Sequence, residues 1–129
     1  MYLIDLLLHA FIPSLLAWML IEVFVNNAYR LSRPVYLCAH YAFVILVFGG
    51  VFALTFLLVP FGSVFDMTIA ALAVLVMIEW IVFGLLYTQQ RWFLNFSDWI
   101  FPMFLAATTI YAVGLLVQHE RTFVDVLMR

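Results

Sequence analysis

The sequence predicts an all-α integral membrane protein: one domain, residues 1–129, folded as a four-transmembrane-helix bundle with short loops. Three observations predict it. Hydrophobic residues make up 69% of the chain, against about 45–50% in a soluble domain. Charged residues make up 9%, against about 25%, too few to cover so apolar a chain in water. Finally, there are four separate apolar runs, each of the roughly 20 residues a helix needs to cross a bilayer. None alternates apolar with polar positions as the strands of a membrane barrel do. A helix also satisfies every backbone polar group within its own segment.

The first helix is expected at about residues 3–25. It contains Asp5, His9, Pro13 and Glu22. With no basic residue ahead of it, it is not expected to be a cleaved signal peptide. Pro13 should kink this helix or free a carbonyl for Ser14 or a neighbour. Asn26, Asn27 and Ser32-Arg33-Pro34 then mark a connection, the proline fitting the first turn of the second helix, where its missing N–H costs nothing. The second helix is expected at about 35–59, with His40 and Cys38 as its ionisable groups. Pro60-Phe61-Gly62-Ser63 reads as a tight turn. Ser63 and Asp66 have the spacing of a capping box for a third helix at about 64–88. Asn95, Ser97 and Asp98 read as the cap of a fourth at about 99–117. The tail, 118–129, is expected to extend that helix or to lie along the membrane interface.

Charge sets the orientation. The loop after the first helix carries Arg30 and Arg33, and the loop after the third carries Arg91. The positive-inside bias places both in the cytoplasm and both termini outside. Tyr29, Tyr36, Tyr87, Trp92 and Trp99 fall at the same rim. All five basic residues are Arg and they do not cluster, so a nucleic-acid partner, which needs concentrated positive charge, is not expected. Cys38 stands alone, so no internal disulfide and no zinc motif is expected.

Glu79 is the residue that calls for an explanation. It sits about 15 residues into the third helix, hence about 13 Å below the cytoplasmic rim. An ionised acid at such a place costs about 2.5 kcal/mol or more. Three outcomes fit: a protonated acid, an acid paired with a donor on another helix, or an acid lining a wet cavity that binds a proton or cation. Glu22 and His40 are expected at similar depth on antiparallel neighbours, where they could share a proton or merely reach interfacial water. Asp5 and His9, four apart, share a helix face near the outer rim. His9 and His40 belong to opposite rims, so they cannot ligate one haem iron within the chain. No cofactor, metal site or catalytic residue is expected, and the reading is not that of an enzyme. Gly49, Ala53, Ala70, Ala73, Thr108 and Ala112, with other small residues, are expected to let helix backbones approach. The large residues, Phe above all, are expected to face lipid or a partner.

Two function classes follow. One is an oligomeric transporter or channel component for a small solute, ion or proton, with Glu79 as its coupling or selectivity site. The other is a non-catalytic subunit, assembly factor or scaffold of a larger membrane complex. The expected partners are the lipid bilayer and either further copies of the chain or other membrane subunits.

Overall fold

The computed structural model describes residues 2–28, 30–58, 63–86 and 95–129, the side chain of Leu86 apart. The expected Pro60-Phe61-Gly62 turn, and the rim residues Tyr29, Tyr87, Arg91 and Trp92, lie outside that set. Among the described residues there is no strand. Four helices are long and apolar enough to cross a membrane. They are α1 (Tyr2–Ala28), α2 (Arg33–Leu58), α3 (Val64–Glu79) and α4 (Phe101–Leu127). A π-helical segment, Trp80–Leu86, prolongs α3, and another, Phe96–Ile100, precedes α4. The α4 helix runs well past the expected end at 117, so most of the 118–129 tail is its continuation.

Local chemistry accounts for the boundaries. Ser63 caps α3, its hydroxyl accepting from the Asp66 N–H at 3.3 Å. The carboxylate of Asp66 is engaged elsewhere, accepting from the Tyr2 hydroxyl at 2.9 Å. Asn95 caps the start of the fourth segment by accepting from the Ser97 N–H at 3.0 Å. Pro34 falls in the first turn of α2. Pro13 sits inside α1 without ending it. The hydroxyl of Ser14 has no hydrogen-bond partner among the described residues, so it does not serve a carbonyl freed by the proline.

The helices form a ring in the order α1, α2, α4, α3. Consecutive α2 and α3 therefore stand on a diagonal. Two cross-links show that α1 and α3 run parallel. Tyr2 reaches Asp66 at one end, and Trp18 reaches Glu79 midway. The same holds for α2 and α4. The Tyr41 hydroxyl donates to the Ser97 carbonyl at 2.9 Å near their starts, and Arg121 donates to the Leu57 carbonyl at 2.6 Å near their ends. Between α3 and α4 the sense is opposite, because Gly114 lies against Val64.

The core is built from small residues set against large ones. From α1 come Ala10, Ser14, Ala17 and Ile21. From α2 comes a ladder at every fourth position: His40, Val44, Phe48, Phe52 and Phe56. Adjacent rings of this ladder lie 6.2 and 6.3 Å apart. From α4 come Ala106, Ile110, Gly114 and Val117. These phenylalanines correct the expectation that the large residues point outward. Interdigitating i±4 rows is a common way to pack two helices, and the small residues of α4 make the room that the rings fill.

Of the small residues expected at helix contacts, Ala70 is buried and Gly49 and Ala53 are partly buried. Ala73, Thr108 and Ala112 lie on the outside of the bundle. A Cβ on Gly49 would meet Thr109 Cγ2 at 3.5 Å, an ordinary contact, and one on Gly50 would meet nothing within 4 Å. Gly50 therefore serves no close approach. Gly50→Ala should raise stability by about 0.5–1 kcal/mol through helix propensity alone, measured as a higher midpoint of thermal unfolding in mild detergent. A lower midpoint would show that the helix needs this glycine for a reason packing does not supply.

Candidate functional site

All four helices contribute to one cavity near the end of the bundle where α1 finishes and α2 begins. Its volume is about 50 Å³. The α1 helix supplies Trp18 and Glu22, one turn apart on one face. The α2 helix supplies Tyr36, His40, Val44 and Phe48 at the same spacing. Leu75 and Glu79 come from α3, and Asp98, Trp99, Met103 and Ala106 from the start of the fourth segment. Both π-helical segments abut this region. One begins directly after Glu79, and the other carries Asp98 and Trp99. Such widened turns often occur at functional sites. Here the first places Phe83 in the interior, its ring 6.4 Å from that of Trp18.

Glu79 is 8% exposed. Trp18 Nε1 donates to its Oε1 at 2.9 Å, and the Trp99 side chain acts on the same carboxyl. Its Oε2 has no hydrogen-bond partner among the described residues. The acid is thus half satisfied. One oxygen is tied to a neutral donor on a parallel helix, and the other is buried without a hydrogen bond among the described residues, on a residue that lines the cavity. A buried polar atom left without a partner costs about 1–3 kcal/mol, and packing alone would not retain it.

His40, 4% exposed, lies one turn from Tyr36 and is surrounded by rings. Phe24, Tyr36 and Tyr41 stand 6.3, 5.5 and 6.1 Å from it, centroid to centroid. Its Nδ1 also has no partner among the described residues. Glu22 lines the same cavity, half-buried. The structure therefore brings together the three expected candidates, Glu79, Glu22 and His40. No hydrogen bond joins Glu22 to His40 among the described residues, so the two share a wall rather than form a pair.

At the mouth stands Asp98, which the sequence marks as a cap. Arg33 donates to both its oxygens, Nη1 to Oδ1 and Nη2 to Oδ2, each at 2.8 Å. The Asp98 side chain is 11% exposed and that of Arg33 56%. This two-pronged contact ties the start of α2 to the start of the fourth segment and leaves Asp98 neutralised at the rim of the cavity.

The other candidates lie apart. His9 Nδ1 donates to the Asp5 backbone carbonyl at 2.7 Å rather than to its carboxylate, near the opposite end of the bundle from His40. Trp18 gave no signal in the sequence, being one more large residue in an apolar run. Knowing that α1 and α3 pack side by side would have found it, since Trp18 and Glu79 sit nearly equally far along their helices. Among the described residues, no three His, Cys, Asp or Glu side chains come together as ligands of a metal ion would. Compared with models of protein families, with curated proteins and with solved structures, the chain matches none of them.

Proposed function

We propose that the chain is a multi-pass integral membrane protein whose bundle binds a proton or small cation at Glu79 and, as an oligomer, moves it across the bilayer. The loops after α1 and α3 are cytoplasmic in this reading and both termini are outside, so the cavity opens toward the cytoplasm. One observation carries the proposal: a nearly buried carboxyl on the wall of a cavity, with one oxygen that makes no hydrogen bond among the described residues. Intramembrane acids in such positions mark ion and proton paths. Four helices enclose little space, so a complete path needs further copies. The outward small residues Ala73, Thr108 and Ala112 suit the close approach of helices from another copy.

Those same outward residues support a second reading, a non-catalytic subunit, assembly factor or scaffold whose surface meets other membrane helices. The two separate cleanly in liposomes. Purified protein is reconstituted around a pH-sensitive dye, and proton flux is driven by an imposed potential. The expected result is flux by the wild-type protein and, for Glu79→Gln, a fall to the level of empty liposomes. Equal flux from the two proteins removes Glu79 from the mechanism. A wild-type protein without flux that co-purifies with a stoichiometric membrane partner establishes the second reading instead.

A further inference from the structure

The proposed cation site has walls that select among cations, and this inference rests on the cation reading of Glu79. We infer that the cavity takes a small ammonium ion, ammonium itself or a short primary amine, recognised by Glu79 Oε2 and the aromatic wall around it.

The acceptors are the first ground. Glu79 Oε2 and His40 Nδ1 lack partners among the described residues, on side chains 8% and 4% exposed, and both residues line the cavity. Glu22 adds a second carboxyl. These are separate, directional acceptors on different helices. An ammonium ion carries separate, directional N–H donors, so each acceptor can take one in a charge-assisted hydrogen bond. His40 accepts in the tautomer that carries its proton on Nε2. An alkali ion makes a different demand, a shell of oxygens to replace its water, as rings of backbone carbonyls provide in potassium channels. Most backbone carbonyls around the cavity are engaged within their own helices, which leaves too few for such a shell.

The walls are the second ground. Trp18, Tyr36, Phe48 and Trp99 line the same cavity as the carboxyl. Aromatic faces attract cations that are weakly enough hydrated to be desolvated, and alkylammonium ions fit that description. Size is the third. About 50 Å³ gives room for roughly three water-sized groups, which suits ammonium or methylammonium better than the bulkier tetramethylammonium.

The test uses the full chain in phosphatidylcholine nanodiscs, with intrinsic tryptophan fluorescence as the readout, since Trp18 and Trp99 line the site. Methylammonium chloride replaces sodium chloride at constant ionic strength, and potassium and tetramethylammonium chlorides are titrated in the same way. The expected result is a saturable change with methylammonium alone. Glu79→Gln should raise its half-saturation by about tenfold or more, the worth of one charge-assisted hydrogen bond, while Glu79→Asp retains saturation. An equal response to potassium or to tetramethylammonium overturns the inference, and so does methylammonium saturation unmoved in Glu79→Gln. These comparisons among salts are made on the wild-type protein, so they stand even if a variant fails to fold. Failure of the ammonium class is distinguishable from failure of the cation site. With no methylammonium response but Glu79-dependent proton flux in liposomes, only the class falls. With neither, both fall.

Discussion

Gly114→Leu is expected to prevent stable folding of this bundle, while Gly50→Leu is tolerated. The chemical change is the same, so the contrast isolates packing. A Cβ on Gly114 would collide with Val64 Cγ1 and lie 2.9 Å from Phe56 Cζ. Neither neighbour can withdraw. Val64 is β-branched, 4% exposed and fixed in the first turn of α3, directly after the Ser63 cap. Phe56 is fully buried at the end of the α2 ladder. Replacing glycine in a helix gains up to about 1 kcal/mol in propensity. Overpacking a filled core costs about 1–3 kcal/mol for modest insertions and more where nothing yields, so the clash wins. For leucine a loss of about 3 kcal/mol or more is expected, seen as a collapsed monodisperse peak in size-exclusion chromatography and a lowered thermal midpoint in detergent. A Gly114→Leu protein that melts with the wild type would mean that α2, α3 and α4 do not converge at this point.

That convergence shows what the sequence could and could not reveal. Helix existence was legible because a run of about 20 apolar residues has little else to be, and the Ser63 and Asn95 caps were legible because their oxygens sit at the spacing orphan N–H groups require. Helix faces were not. These helices are apolar nearly all round, so periodicity cannot say which side is inside. Residue size was the remaining guide, and it divided the candidates. Gly49, Ala53 and Ala70 lie at least partly inside, while Ala73, Thr108 and Ala112 lie outside. The four-residue repeat His40-Val44-Phe48-Phe52-Phe56 was present in the sequence, but the assumption that phenylalanine faces lipid hid it. The extent of α4 was left open between a longer helix and an interfacial tail, because Gln118, His119, Glu120 and Arg121 look like the end of an apolar run. The helix continues, and Arg121 donates to the Leu57 carbonyl near the end of α2.

The site divides in the same way. Glu79 was legible as a lone acid in an apolar run, and the equal depth of Glu22 and His40 followed from a short connection between antiparallel helices. What could not be read was the pairing of α1 with α3, because helices adjacent in space here are not all adjacent in sequence. Trp18 depends on that pairing, and the Arg33–Asp98 contact depends on the pairing of α2 with the fourth segment. Asp98 in particular carries a local signature, that of a cap, which masked a long-range partner 65 residues away.

The Trp18–Glu79 contact yields the other large effect, in which the sign matters more than the size. Trp18→Phe deletes the indole N–H that serves Glu79 Oε1. The acid keeps its burial and loses a donor, so stability should fall by about 1–3 kcal/mol. Glu79→Gln retains an acceptor oxygen for Trp18 and cannot ionise, so it should be as stable as the wild type or more so, although it is the variant expected to abolish flux. Substituting both residues, Trp18→Phe with Glu79→Met, removes donor and acceptor together and leaves apolar groups of similar shape, an exchange that is often near neutral. The double variant is therefore expected to be more stable than Trp18→Phe alone, even though it carries one more substitution in the interior. Detergent-induced unfolding of the wild type, Trp18→Phe, Glu79→Met and the double variant closes the thermodynamic cycle. If Trp18→Phe costs the same whether residue 79 is Glu or Met, the two side chains are merely neighbours, and the acid is held by something other than this indole. If the cost disappears with the acid, the indole's contribution to stability is its hydrogen bond to Glu79, and this contact fixes the carboxyl against α1.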